Sequence, residues 1–236
     1  MKSSEAQLRG RGLPSGQDRA RFAGLPEEKL PRLLRSPEAA ERTIAAERLG
    51  AAGKDGYIPL LCEALKSEKK LYTKLAVCDA LAGYGAAAVP CLVPLLGTIG
   101  SNQHREPAIA DLDKKCYPLP RDIVSRILMR IGPPALPGMI DIIEGSDRKK
   151  ISEAVDVIGH ITWNFRDFSA EQALTALHER SRGDELIFWK TIRAFQSFES
   201  ERVRRLLENV LQNSGNAVFV REAQRSLARI AGRSAI

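Results

Sequence analysis

Three stretches of this chain repeat one helical pattern that ends in glycine. They span residues 42–53, 74–85 and 121–132, and each is followed within a few residues by a proline that leads an apolar run. Glycine accepts the left-handed backbone that commonly ends a helix, and proline fits the first turn of the next helix. Each stretch therefore predicts a helix, a turn and a second helix. A series of such pairs predicts a stack in which neighbouring repeats bury one another's apolar faces.

The repeats also align residue by residue. An apolar side chain recurs at one position of five copies, at Leu49, Leu81, Leu128, Ile158 and Phe195. Subtraction of these numbers gives steps of 32, 47, 30 and 37 residues, so the period is near 32 and the second step, 47 minus 32, adds 15 residues. A weaker last copy spans residues 221–232. We predict five to six helix pairs, no sheet and no internal domain boundary.

The first copy carries a resemblance to a known family. Arg42, Ala45, Ala46, Leu49 and Gly53 stand at the spacing of a HEAT repeat, and the stretch most resembles the short bacterial PBS-lyase HEAT-like repeat. The resemblance covers roughly residues 26–232. It implies an all-α fold, a right-handed α-solenoid (superhelix) of about five to six HEAT-like helix pairs. It also implies a scaffold or adaptor by default, because most proteins of this kind bind other proteins.

The first 24 residues differ from the rest. They contain five basic and two acidic residues, a net charge of +3, and few large apolar side chains. This composition predicts a flexible basic N-terminal arm over residues 1–24, followed by a HEAT-like repeat domain over residues 25–236. The arm lacks the apolar core of a signal peptide, and the longest apolar run, residues 86–96, is too short for a bilayer. We therefore expect no membrane span and a cytoplasmic protein.

The long step between the second and third copies marks an inserted loop at about residues 97–122. Charged and polar residues are concentrated in it, and no helical periodicity continues through it. Long loops inside compact arrays are commonly functional. We predict that this loop docks a partner; the alternative is an elaboration with no binding role. The candidate binding residues are His104, Arg105, Asp111, Asp113, Lys114, Lys115 and Tyr117.

Basic residues form the second candidate site. The chain has 36 basic and 29 acidic residues, a net charge of +7. Arg221, Arg225 and Arg229 recur every four residues and predict a stripe along the last helix, with Arg205 on the helix before it. Such a stripe is typical of the solvated end of a solenoid, or of a phosphate-binding patch.

The second helices of the pairs argue against a nucleic-acid groove. In a HEAT array these helices line the concave face, and a groove that follows a nucleic-acid backbone should be uniformly positive. The side chains expected to be exposed here are of mixed sign, which favours a protein or peptide partner. This second-helix set comprises Glu63, Lys66, Asp141, Glu144, Glu179, Arg205 and Glu208.

Two enzyme classes with this type of fold use residue patterns that this chain does not match. The di-iron hydroxylases hold their metals with several His-Glu pairs, whereas this chain has three histidines and a single pair, His178-Glu179, with His178 expected to be exposed. The alkylpurine DNA glycosylases use tryptophans and an aspartate near the lesion. Here Trp163 and Trp189 stand in apolar runs, which predicts that both are buried between repeats.

The inserted loop matches no recognised metal site either. The loop contains four side chains of types that bind metals, but their spacing matches no known pattern of metal ligands. They are His104, Asp111, Asp113 and Cys116. We therefore predict no catalytic residue, no metal, no cofactor and no small-molecule ligand.

These observations together predict a non-enzymatic scaffold or adaptor that binds another protein through the concave solenoid face and the 97–122 loop. The alternative is a nucleic-acid-binding HEAT-like protein, related to DNA repair, that uses the basic arm and the C-terminal arginine stripe. Salt separates the two, because phosphate contacts lose affinity steeply as salt rises and a protein interface of mixed charge does not.

Overall fold

The computed structural model describes residues 4–108 and 116–234. Over these ranges the chain is built of helices and contains no strand. It divides into two compact units, Met1–Leu92 and Val93–Ile236. The repeat spacing predicts one continuous domain over residues 25–236; the compact units instead divide inside that range, just before the inserted loop.

The first unit contains two short helices followed by helix pairs. Its helices are α1 (Glu5–Gly10), α2 (Gly16–Phe22), α3 (Leu30–Leu33), α4 (Ala39–Ala52), α5 (Ile58–Ser67), α6 (Leu71–Gly83) and α7 (Val89–Leu92). The first helices of the pairs, α4 and α6, pack along one another, and the second helices α5 and α7 are also in contact. This is the layered packing expected of a helical repeat.

The second unit continues the same scheme. Its helices are α8 (Ile123–Ile131), α9 (Leu136–Glu144), α10 (Arg148–Phe165), α11 (Glu171–Arg180), α12 (Glu185–Ala194), α13 (Glu201–Asn213) and α14 (Ala217–Ser234). The helices α8, α10, α12 and α14 contact one another in succession, and α9 contacts α11. The predicted fold class, an all-α solenoid of helix pairs, is confirmed.

The aligned residues do what their pattern predicts. All five members of the aligned apolar position are fully buried. Gly53, Gly85 and Gly132 follow the first helices with positive φ values of 63°, 57° and 80°. Both α5 and α9 have a proline in their first turn. In the fourth copy the aligned position, Thr162, is helical; α10 continues to Phe165, and Arg166 then follows with φ of 55°.

Within the segment that composition predicts to be a flexible arm, the described residues 4–24 contain the two short helices α1 and α2. Ser4 and Ser15 each close a capping box at the start of α1 and α2, and both helices pack on α4. In the turn between α1 and α2, the Gly12 carbonyl accepts a hydrogen bond of 2.6 Å from Thr43 Oγ1. Thr43 Oγ1 also lies 2.9 Å from Thr73 Oγ1. A prediction from low hydrophobicity does not find these helices, because helix caps and buried hydroxyl contacts, rather than apolar area, hold them in place.

No single helix among the described residues is both long and apolar enough to cross a membrane. Helix α6 and the stretch Gly85–Leu95 would reach that length and composition together, but they are bent by 116° relative to one another.

Gly12 provides a test of how firmly the N-terminal segment is docked. It has φ of 95°, and a Cβ there would overlap Thr73 Oγ1 and lie 3.0 Å from the Thr73 backbone nitrogen. We expect Gly12→Ala to reduce the free energy of unfolding by about 1–3 kcal/mol, because both the left-handed backbone and the close contact penalise it. Thermal unfolding, and the rate of tryptic cleavage within residues 4–24, would measure the effect.

Gly10→Ala is the matched control, since a Cβ at Gly10 meets no atom within 4 Å. Equal protease sensitivity of the two variants would contradict the docking of this segment.

Candidate partner-binding site

The core of the second unit contains paired charges. Lys190 on α12 is fully buried, and its Nζ lies 2.9 Å from Asp156 Oδ2 and 3.1 Å from Glu153 Oε1. It also donates to the carbonyl of Ser152 at 2.9 Å. One turn further along, Arg193 Nη2 donates to Asp156 Oδ1 at 2.8 Å. Two carboxylates of α10 therefore face two cations of α12.

The charges continue onto α14. Glu222 is fully buried, accepts a hydrogen bond from Trp189 Nε1 at 3.0 Å and pairs with Arg225. Arg225 Nη2 also donates to Gln196 Oε1 at 3.2 Å. The Arg193 guanidinium lies 4.2 Å from the centroid of the Trp189 ring, a cation–π contact. We call these six residues the buried charge cluster: Glu153, Asp156, Lys190, Arg193, Glu222 and Arg225.

The cluster balances three positive against three negative side chains. Burial raises the pKa of Glu153 and of Glu222, against the opposing charges of Lys190 and Arg225. Burial also acts to raise the pKa of Asp156, but Lys190 and Arg193 outweigh it and the pKa is lowered. Buried ion pairs add little net stability, yet removal of one partner is costly because it leaves a buried charge. The cluster therefore specifies how α10, α12 and α14 pack.

The start of the inserted loop, residues 97–108, is fixed on this cluster; we call it the first foot. His104 is 7% exposed, with its ring edge-on to Trp189 at a centroid distance of 5.4 Å. Burial lowers the pKa of His104 to about 4, so the ring is neutral near pH 7. The Gln103 amide donates to Asp122 Oδ1 at 2.9 Å, and this hydrogen bond joins the two ends of the loop.

The end of the loop, residues 116–122, is fixed on α10; we call it the second foot. Tyr117 is 4% exposed and packs directly on Gly159, where no side chain would fit beside its ring. Its ring centroid lies 6.4 Å from that of Trp163. Asp122 then caps α8 by accepting the backbone N–H of Ser125 at 2.8 Å. Both feet are thus held by the first helices of the second unit.

The structure distributes the predicted loop residues unequally. Arg105 is exposed, whereas His104 and Tyr117 are buried and hold the feet instead of facing a partner. The other four predicted loop residues lie outside the described residues: Asp111, Asp113, Lys114 and Lys115.

A cleft opens between the first foot and α10. Its volume is about 450 Å³, and we call it the foot cleft. Arg105 and Lys149 stand among its lining residues and form no ion pair with any residue in the described ranges. Arg148, also in the lining, pairs with Asp184, with 2.9 Å between Nη2 and Oδ1. Glu153 lines the cleft as well, and its Oε2 has no hydrogen-bond partner among the described residues.

The arginine stripe is not uniformly exposed. Arg221 is exposed and Arg229 half-buried, but the Arg225 side chain is only 8% exposed and is paired with Glu222. A helix turns by about 100° per residue, so each step of four residues rotates about 40° around the axis and carries the row from solvent toward the core. Arg205 is exposed and pairs with Glu201 at 3.2 Å.

The second-helix set is exposed as predicted, in all seven members. Five of these side chains are acidic and two are basic. In neither unit do the members of the set carry a net positive charge, so they do not attract a polyanion.

The residues considered for enzyme sites are mostly packed in the core. Trp189 is fully buried as predicted, whereas Trp163 is half-buried. The expectation that His178 is exposed is wrong: the residue is 3% exposed, its Nδ1 lies 2.8 Å from Thr191 Oγ1 and its ring stacks on Phe188 at 4.4 Å. Its position four residues after Leu174, on the apolar face of α11, is the signal for this burial. Within the described ranges, no three His, Cys, Asp or Glu side chains are grouped so that they could hold a metal.

Sequence reasoning missed the buried charge cluster. Glu153 and Asp156 are three residues apart in the apolar run that forms α10. Lys190 and Arg193 have the same spacing in the apolar run that forms α12. Opposite charges at equal spacing on two neighbouring first helices predict an ion-pair network between them. That signal was present in the sequence.

Comparisons with known proteins identify no family. No protein-family model and no curated protein matches the chain. Among solved structures, human deoxyhypusine hydroxylase in complex with glycerol is 14% identical, with 95% of this chain and 93% of that chain covered and a TM-score of 0.40. A designed armadillo repeat protein is 16% identical, with coverage of 87% and 100% and a TM-score of 0.41. Computationally designed armadillo repeat proteins for modular peptide recognition are 15% identical, with coverage of 86% and 99% and a TM-score of 0.41. TM-scores this low carry no argument about function.

Gly159 tests whether the second foot is fixed as described. A Cβ at this position would overlap the Tyr117 hydroxyl and lie 2.8 Å from Tyr117 Cε2. We expect Gly159→Ala to lower the free energy of unfolding by about 1–3 kcal/mol through overpacking. In Tyr117→Ala the obstruction is absent, so the double variant should be less destabilised than the sum of the single variants. Denaturant unfolding measures all three.

Gly232→Ala is the control, because its Cβ would meet no atom within 4 Å and Gly232 is exposed on α14. Strict additivity of Gly159→Ala and Tyr117→Ala would contradict the contact.

Lys190 tests the buried charge cluster. Lys190→Met leaves Glu153 without its cation, and we expect it to lower the free energy of unfolding at pH 7 by about 3–5 kcal/mol. Protonation of the unpaired carboxyl removes its charge, so the loss should shrink as the pH falls toward about 5. Lys190→Met combined with Glu153→Met should recover most of the stability, because a neutral apolar pair replaces the ion pair. A loss independent of pH and not recovered by the second change would contradict this account.

Proposed function

We propose that this chain is a non-enzymatic binding module for a protein or peptide partner, and that it contacts the partner through the inserted loop and the foot cleft. The repeats that carry the site are, in this proposal, of the PBS-lyase HEAT-like type, on the pattern from Arg42 to Gly53.

One observation carries the proposal: the loop is held at both feet by buried side chains. His104 and Tyr117 are fixed in the packing of α10 and α12, and the Gln103 amide ties the two feet together. Binding loses less entropy when a recognition segment is presented from a rigid frame. Two buried anchors beside an open cleft favour this reading over an elaboration with no binding role.

The distribution of charge favours this reading over a nucleic-acid partner. Arg225 of the stripe pairs with Glu222, and Arg205 on α13 pairs with Glu201. The second-helix set is mostly acidic. In the N-terminal segment, Arg9 pairs with Asp18 at 3.0 Å. Phosphate binding would have to displace these carboxylates, which weakens the gain from counterion release.

Selection of random displayed peptides on the immobilised full chain tests the proposal. We expect enriched sequences whose affinity falls at least about tenfold in two variants, Arg105→Glu with Lys149→Glu, and a chain with residues 109–115 replaced by glycine and serine. Lys69→Glu with Lys70→Glu is the matched control, since both lysines are exposed on the first unit and the change in charge is identical.

Enriched peptides that bind all variants equally would place the site elsewhere. An absence of enrichment, together with binding of labelled duplex DNA that weakens steeply with salt and is lost in Arg221→Ala with Arg229→Ala, would replace this proposal by the nucleic-acid alternative.

A further inference from the structure

We propose that the foot cleft recognises a short acidic segment of the partner, whose carboxylates pair with Arg105 and Lys149. This inference rests on the proposed function and names the chemistry of the same site.

The charge of the cleft supports the acidic part of the ligand. Arg105 and Lys149 are exposed and have no ion-pair partner among the described residues, whereas Arg148 is already neutralised by Asp184. The Glu153 charge is opposed by the fully buried Lys190. The two cations without partners are therefore the main source of local potential, and they attract an anion to the mouth of the cleft.

Glu153 does not offset these two cations at the surface of the cleft. It lines the cleft but is only 1% exposed, and its Oε1 lies 3.1 Å from the Lys190 ammonium nitrogen. A ligand at the mouth of the cleft therefore meets Arg105 and Lys149 rather than this carboxylate.

The neighbouring surface limits the acidic segment to a few residues. A second cleft of about 300 Å³ adjoins the first and also has Arg105 and Arg148 in its lining. It carries the carboxylates of Glu106 and Glu185, which would repel a long acidic ligand. A short probe with one acidic residue on each side of a single apolar residue therefore suits the foot cleft better than a longer acidic one.

Two blocked peptides that differ only in charge provide the test. The probes are acetyl-Ala-Glu-Leu-Glu-Ala-amide and its glutamine counterpart, titrated into the isotope-labelled full chain and followed by backbone amide shifts in NMR spectra. We expect saturable shifts at residues 97–105 and 149–153 with the glutamate peptide, and at least about tenfold weaker binding of the glutamine peptide.

Protein variants locate the effect without disturbing the core. Arg105→Gln and Lys149→Gln alter exposed side chains and should each weaken binding of the glutamate peptide at least about threefold. Lys69→Gln, an equal change of charge on the first unit, should leave it unchanged. If all three variants weaken binding alike, the attraction is general and the inference fails.

Failure of the inference can be separated from failure of the proposed function. Equal affinity for the glutamate and glutamine peptides, or shifts outside the foot cleft, would overturn the acidic-segment inference alone. The proposed function then stands or falls with the displayed-peptide selection, which assumes no ligand charge.

Discussion

The second unit depends on one fully buried ammonium group. Lys190 joins Asp156 and Glu153 of α10 to α12, and Arg193 repeats the connection one turn later. Packing of apolar residues alone would leave the angle and register of these helices weakly specified, whereas an ion pair in the core tolerates little displacement before a charge loses its partner. The helices that hold the loop are therefore held in register with one another by charge.

This constraint reaches the candidate site through Trp189. The indole nitrogen is bonded to Glu222, one face of the ring lies under Arg193, and His104 meets the ring edge-on. Because the ring is fixed by the cluster, the first foot has a fixed contact point. Loop placement is thus a consequence of core electrostatics.

The sequence predicted the repeat architecture well because that architecture depends on local rules. Glycine at the helix end, proline in the next first turn and an apolar residue at one aligned position each act within a single repeat, and all three are observed. The position of the insertion followed from the same spacing. The exposed character of Arg105 and of the second-helix set also followed, because both are set by local pattern.

What the sequence did not predict depends on contacts between distant residues. Tyr117 appeared to be a surface residue, since its burial depends on the absence of a side chain at Gly159, 42 positions away by subtraction. The polar composition of the N-terminal segment predicted a flexible arm. In the structure this segment packs at Gly12 against the hydroxyls of Thr43 on α4 and Thr73 on α6. The burial of Arg225 depends on its contacts with Glu222 and with Gln196, and the sequence pattern does not show that Gln196 lies beside it.

The two buried feet concentrate the described contacts that fix the loop in two side chains. His104 meets Trp189 of α12, and Tyr117 packs on Gly159 of α10. Arg105 and Glu106 follow His104 directly but are exposed and take no part in either contact. These two positions can therefore change while the packing of α10 and α12 is kept, so the adaptable surface of the first foot begins one residue after its anchor.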